Sequence, residues 1–275
     1  MSILNRLEQL NPAIVNSVVL IAIIFSLLSP LGLPVKVSAM TRTLYDRVEA
    51  LPAGSLVAFV ADIEPGLGDE YGPCALAVFT HVMRRPLKVV IMCFYQHSPM
   101  MWERALRLGW GEIPTDKKYG TDYVNLGYLA GAETAMASAG SDLHKAFGKD
   151  FFGTPIDQIP VMKEALTAKD FKILIHVTGS TTESEQMLRQ WQTTYGIPMA
   201  WIVTAAQAPS QMPYYPRQVF AILPGIRSAA EYELLIRRPR VGLQNTDALS
   251  IVQTLILAFI VVANIAYFSK KGEKK

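Results

Sequence analysis

The sequence predicts an α/β protein: a mostly parallel, doubly wound (Rossmann-like) sheet flanked by N- and C-terminal transmembrane helices. Three observations carry that expectation. Short apolar runs such as Leu56 to Ala61 and Lys88 to Tyr95 read as strands buried on both faces. Helix-period segments stand between them, and strict alternation of strand and helix builds a parallel sheet with helices on both faces. The apolar excess behind a mean hydropathy of +0.23 is concentrated at the two ends of the 275-residue chain.

Taken in order, no charge occurs between Glu8 and Lys36, and Ile14 to Leu33 is dominated by Val, Ile, Leu and Phe. About 20 such residues span a bilayer core. A cleaved signal peptide is the alternative, but the run exceeds the usual ~7–15-residue apolar region, and Ser29-Pro30-Leu31-Gly32-Leu33-Pro34 is a poor cleavage site. The domain then reads as strand Leu56–Ala61, helix Pro73–Arg84, strand Lys88–Tyr95, helix Pro99–Leu108 and strand Tyr123–Tyr128. It continues with helix Ala130–Ala139 ending at Gly140, strand Phe171–Val177, helix Glu183–Tyr195, strand Met199–Thr204, a short element Val219–Leu223 and helix Ser228–Ile236. Ala248 to Phe268 is again uncharged and is followed by Lys270, Lys271, Lys274 and Lys275, the pattern of a stop-transfer helix with a basic tail. The expected division is 1–36 for the N-terminal tail and transmembrane helix, 37–246 for the soluble domain, and 247–275 for the second helix and tail.

Two spans put both termini on one side of the membrane. The lysine tail and Arg6 argue that this side is cytoplasmic, whereas Lys36, Arg42, Arg47, Arg237, Arg238 and Arg240 pull the domain the other way. Because the positive-inside rule weakens for large translocated domains, the expectation is cytoplasmic termini and an exoplasmic domain. Net charge is +3 with scattered Lys and Arg, so no dense basic face marks a nucleic-acid partner. Cys74 and Cys93 sit among apolar neighbours and read as inert core thiols, with a disulfide or a reactive thiol as the alternatives.

Three segments resemble a prokaryotic family of α/β proteins anchored by a transmembrane helix at each end: Leu51-Pro52-Ala53-Gly54-Ser55, Lys118 to Tyr128, and Ala229-Ala230-Glu231-Tyr232-Glu233. The resemblance implies this architecture and a prokaryotic cytoplasmic membrane. It carries over no activity and no site residue.

Ligands of parallel α/β sheets bind outside the carboxyl ends of the strands, and that rule selects the candidates by position. Asp62 and Glu64 follow the first strand and His97 follows the second; two carboxylates and an imidazole are groups for acid/base work or a hard metal, while caps and dipole partners are the plainer role. Thr178, Gly179, Ser180, Thr181 and Thr182 precede a helix and offer hydroxyls and backbone N–H groups to a small anion, or form only an N-cap, with Glu185 closing a capping box on Thr182. No P-loop, Gly-x-Gly-x-x-Gly or Gly-x-Ser-x-Gly occurs at the strand ends, and no metal site or cofactor is assigned. Tyr214, Tyr215 and Arg217 form a candidate contact loop. In the second terminal helix, Asn264 with Ala258, Ala263 and Ala266 is a candidate face for self-association. The expected function is a membrane-anchored binding or scaffold subunit of an oligomeric membrane complex; a tethered enzyme acting on a small anionic substrate is the alternative.

Overall fold

In a computed structural model, residues 11–28 and 32–273 are described. Arg6, Ser29, Pro30, Leu31, Lys274 and Lys275 lie outside them, as do the side chains of Ala266, Lys270 and Lys271. The chain divides into two units, Lys36–Arg238 and a second one built from Met1–Val35 with Pro239–Lys275.

The first unit holds six strands: β1 (Leu56–Ala61), β2 (Lys88–Cys93), β3 (Tyr123–Tyr128), β4 (Phe171–Val177), β5 (Met199–Val203) and β6 (Val219–Pro224). Every pairing is parallel, in the order β3-β2-β1-β4-β5-β6. This is the order of a doubly wound sheet whose direction of winding reverses between β1 and β4.

The side chains alternate between two cores, as the period of two requires. On one face Val57, Phe59, Ile173, Ile175 and Ile202 meet helices that the structure places at Ala39–Glu49, Gly68–Arg84, Ser98–Arg107 and Gly225–Leu235. Phe59, Phe79 and Trp102 form its aromatic centre, with ring centroids 5.1–5.5 Å apart. On the other face Ala58, Val60, Leu174, Trp201 and Ile222 meet Ala132–Ser141, Leu143–Phe147, Thr181–Met187 and Ala208–Gln211. With Pro12–Leu28 as α1, these helices are α2 (39–49), α3 (68–84), α4 (98–107), α5 (132–141), α6 (143–147), α7 (181–187), α8 (208–211) and α9 (225–235), and Val241–Glu273 is α10.

Several expected boundaries move for identifiable reasons. The sequence reading had no helix at 39–49; α2 is capped by Ser38, whose side chain accepts from the Thr41 N–H. Expected to start at Pro73, α3 begins at Gly68 and takes Pro73 inside it. Gly140 does not stop α5. A Cβ there would lie 3.0 Å from Tyr195 and 3.2 Å from Trp191, so the glycine admits the continuation of α7, a π-helical stretch over Leu188–Thr193. Cys74 and Cys93 are free and buried, burial pushes both thiols well above their usual range, and the Cys93 thiol donates to the Ala61 carbonyl.

In the second unit α1 packs against α10. The fully buried Asp247 accepts the N–H groups of Gly32 (2.9 Å) and Leu33 (3.1 Å), fastening the end of the first segment to the start of the second. Apolar side chains point outward along both helices, among them Ile21, Phe25, Leu257 and Ile260. Among the described residues, one helix is long and apolar enough to cross a membrane: Val241–Ile265, 25 residues, within which an 18-residue stretch has a mean hydropathy of 2.3 and is 6% buried. α1 is apolar over a shorter 17 residues.

A candidate ligand crevice at the switch point

After β1 the chain turns to α3 on one face, and after β4 it turns to α7 on the other. Diverging connections of this kind leave a crevice between the two carboxyl ends. Asp62 and Glu64 stand on its β1 side, and Thr178 to Thr182 on its β4 side.

Asp62 is fully buried. Its Oδ1 accepts the N–H groups of Phe94 (2.6 Å) and Tyr95 (3.0 Å). Those bonds explain why β2 ends at Cys93 and not at Tyr95 as the apolar run implied: the next two amides serve Asp62. Its Oδ2 lies 3.4 Å from Nε2 of His176, which is also fully buried. The imidazole that meets Asp62 is therefore His176. His97 is exposed, its ring contact is with Tyr95, and among the described residues no hydrogen bond or ion pair joins it to Asp62 or Glu64.

His176 was absorbed in the sequence reading into the apolar strand Phe171–Val177. It pairs with Val60 on one side and Trp201 on the other, which puts it on the same sheet face as Asp62, two residues beyond Val60. A lone imidazole near the end of an apolar strand was the available signal, but only the β1–β4 adjacency gives it a partner. Among the described residues its Nδ1 has no hydrogen-bond partner.

Tyr71, from α3, pins the loop after β1. Its hydroxyl accepts the Glu64 N–H (3.0 Å) and donates to the Asp62 carbonyl (3.3 Å). Burial pushes that hydroxyl far up, so it stays protonated and can keep donating.

The loop expected to receive an anion is engaged internally. Thr178 Oγ1 donates to Glu183 Oε2 (2.6 Å) and accepts the Ser180 N–H (3.0 Å). The N-cap is Ser180, whose Oγ accepts the Glu183 N–H, not Thr181 or Thr182 with Glu185, because α7 starts at Thr181. Thr181 is half-buried and Thr182 exposed. Glycine at 179 matches a close approach: a Cβ there would sit 3.0 Å from Glu64 Oε1, 3.1 Å from Leu67 and 3.2 Å from the Tyr71 hydroxyl.

Glu64, from the loop after β1, and Glu183, from α7, thus both reach this loop. Burial, then the charge of Asp62, raises the Glu64 carboxyl. Burial also raises Glu183, with the Thr178 hydrogen bond opposing it and Asp62 adding to it. Among the described residues none of the three carboxylates pairs with a lysine or arginine. No group of three or more His, Cys, Asp or Glu side chains is placed to hold a metal ion, again among the described residues.

The remaining candidates lie elsewhere. Tyr214 donates to Glu185 and meets the Trp201 ring edge-on, Tyr215 is half-buried, and Arg217 is exposed. The Asn264 amide donates to the Ile260 carbonyl of its own helix. A cleft of about 230 Å³ beside Tyr128, Lys149 and Phe151 opens at the β3 edge, two strands from the switch. No protein-family model, curated protein or solved structure matches this chain.

Proposed function

We propose that this chain is a membrane-anchored binding subunit: α1 and α10 both insert in the bilayer, and the α/β domain seats a small ligand at the β1/β4 crevice. The observation that carries the reading is the outward-facing apolar surface along α1 and α10, a surface suited to lipid or to neighbouring helices. Asp247 supports the pairing of the two segments, since its two bonds hold them side by side at one end, and an antiparallel pair returns both termini to the same side. The basic tail argues for a cytoplasmic position of that side and an exoplasmic domain. Outward alanines on α10, Ala258 and Ala263, favour assembly with further copies or other membrane subunits.

Alkaline carbonate extraction of membranes tests the anchoring; the chain is expected in the pellet. A truncation ending at Arg240 that keeps the first segment is expected to stay there too, and its release would remove α1 as an anchor. Labelling at Lys275 from the outer side would reverse the orientation. Native mass in mild detergent tests assembly, and a clean monomer would sink it.

A second reading, a membrane-tethered enzyme at the same crevice, draws on the Asp62–His176 contact, where a carboxylate and an imidazole lie at the switch point.

A further inference from the structure

We propose that the face of α10 turned away from α1 pairs, in parallel, with the same face of a second copy of this chain, the two Gln253 amides bonding to each other at mid-membrane. This pairing names the partner in the assembly proposed above and rests on α10 lying across a bilayer.

Gln253 is the central residue of the 25-residue stretch Val241–Ile265. At 1.5 Å of rise per residue it has about 18 Å of helix on either side, too far for its side chain to reach water at a membrane surface. It is exposed, so in a bilayer it meets lipid or another protein. The other polar side chains from 246 to 264 are answered within the helix pair. Thr246, Ser250 and Thr254 donate to the carbonyls of Gly242, Thr246 and Ser250, and Asn264 donates to that of Ile260. Asp247 accepts the Gly32 and Leu33 N–H groups. Among the described residues the Gln253 side chain makes no hydrogen bond. An amide left unbonded in hydrocarbon is costly.

The residues around Gln253 form a seam. Leu249, Gln253, Ile256, Ile260 and Ala263 follow one another at spacings of four, three, four and three, the a/d repeat of helices that coil around each other. All five are exposed. On the opposite side of the helix, where α1 packs, Asp247, Ile251, Leu255 and Phe259 recur at a spacing of four and are buried or half-buried. α1 therefore leaves the seam open. Most helix bundles in membranes have the left-handed crossing that such a repeat serves, and a polar residue at a single a position is what fixes register and partner in coiled coils.

The chemistry of Gln253 selects the occupant. A primary amide carries two N–H donors and a carbonyl acceptor, so two copies can exchange hydrogen bonds and satisfy each other. Copies of one chain insert in the same direction and hold Gln253 at the same depth. A parallel pair thus brings the amides together with no shift in register, and Leu249, Ile256 and Ile260 meet their own counterparts. A different subunit would need a polar group of its own at that depth, and lipid tails offer none.

The test uses the full chain in its host membrane, where the native thiols Cys74 and Cys93 are buried and give little background. Leu249→Cys, Ile256→Cys and Ile260→Cys, made singly and oxidised, are expected to yield disulfide-linked dimers of this chain. Ile251→Cys and Leu255→Cys, on the α1 side, are expected to yield none. Gln253→Leu is expected to raise the dissociation constant of the dimer in mild detergent about fivefold or more, and Gln253→Asn, which keeps an amide, to raise it less. If Gln253→Leu does not accumulate, the cysteine pattern decides alone. Absence of cross-linked dimers, equal cross-linking at all five positions, adducts only with other proteins, or a dimer that Gln253→Leu leaves unchanged overturns the pairing. Carbonate extraction of the same membranes separates the two readings: a chain that stays in the pellet without the pattern loses only this pairing, whereas a released chain loses the membrane span on which the pairing rests.

Discussion

Two histidines are buried in this domain, and they are treated differently. His81, in the last turn of α3, has both ring nitrogens bonded: Nδ1 to the Tyr232 hydroxyl (2.9 Å) and Nε2 to Glu49 (2.8 Å), with Tyr45 stacked on the ring at 4.5 Å. Beside it Glu231, 2% exposed, accepts from the Ser38 N–H and the Thr41 hydroxyl and pairs with Arg227. Every group in that cluster is answered, and its effect is to fasten α2 to α3 and α9. His176 has one long contact and one orphan nitrogen, beside carboxylates that lack cations. Satisfied buried polar networks fix structure; partly satisfied ones mark places where something else belongs. The contrast separates a clasp from a site within one domain.

The largest expected effect breaks the link between the two kinds of group. Asp62→Ala leaves the Phe94 and Tyr95 amides and His176 unanswered in a dry interior. A loss of about 3–5 kcal/mol is expected, as for removing one member of a buried pair, measurable by chemical denaturation of the full chain. A loss below 1 kcal/mol would mean that these groups rehydrate freely.

Removing either histidine should have a different cost. His81→Leu orphans the buried Tyr232 hydroxyl and releases Glu49, and about 2–3 kcal/mol of stability should go. His176→Leu removes a group that is already poorly answered and should cost under about 1 kcal/mol. Equal losses would erase the distinction drawn here.

A pH profile separates the two clusters by sign. Glu64 and Glu183 have folded pKa values raised above the usual 4.5, so the folded state binds more protons and gains stability as pH falls toward 5. His81 is lowered from 6.5, chiefly by burial, so its contribution is present in full above 6.5 and is lost as pH falls from there through its lower folded value. The wild-type profile between pH 7 and 5 should be a partial cancellation. In the Glu64→Gln, Glu183→Gln variant the gain from these two carboxyls is removed while the His81 loss is unchanged. The opposing gain from His144, whose pKa is raised against burial by its bonds to Met162 and Asp157, is unchanged too, so stability should fall on acidification more steeply than in wild type. A variant profile parallel to wild type would refute the assignment.

The smallest effect concerns two glycines. Gly72→Ala, inside α3 with nothing within 4 Å of the added Cβ, should stabilise by about 0.5–1 kcal/mol. Gly179→Ala meets Glu64, Leu67 and Tyr71 at 3.0–3.2 Å and should not gain. A stabilising Gly179→Ala would show that the crevice floor yields.

Local patterns in the chain set the strands and the class of the sheet. Strands buried on both faces leave apolar runs, and β1, β3 and β4 fall where they were read. The same patterns mark the chain ends as apolar, since hydropathy is a local property, and place Asp62, Glu64 and Thr178 at strand ends by position alone. The remainder depends on which strands are neighbours. β1 and β4 are separated by more than a hundred residues, so the pairing of Asp62, the residue after β1, with His176, the penultimate residue of β4, had no local signature. The early end of β2 has the same origin, because the two amides that follow it answer Asp62, just beyond the neighbouring β1. The sign of the crevice was also hidden: Thr178 to Thr182 reads as an anion loop in isolation, and it becomes an acidic wall because the first turn of α7 folds Glu183 onto Thr178 while the loop after β1 brings Glu64 across Gly179. Local patterns fix the elements, whereas charge at a site is a sum over residues that the sequence keeps apart.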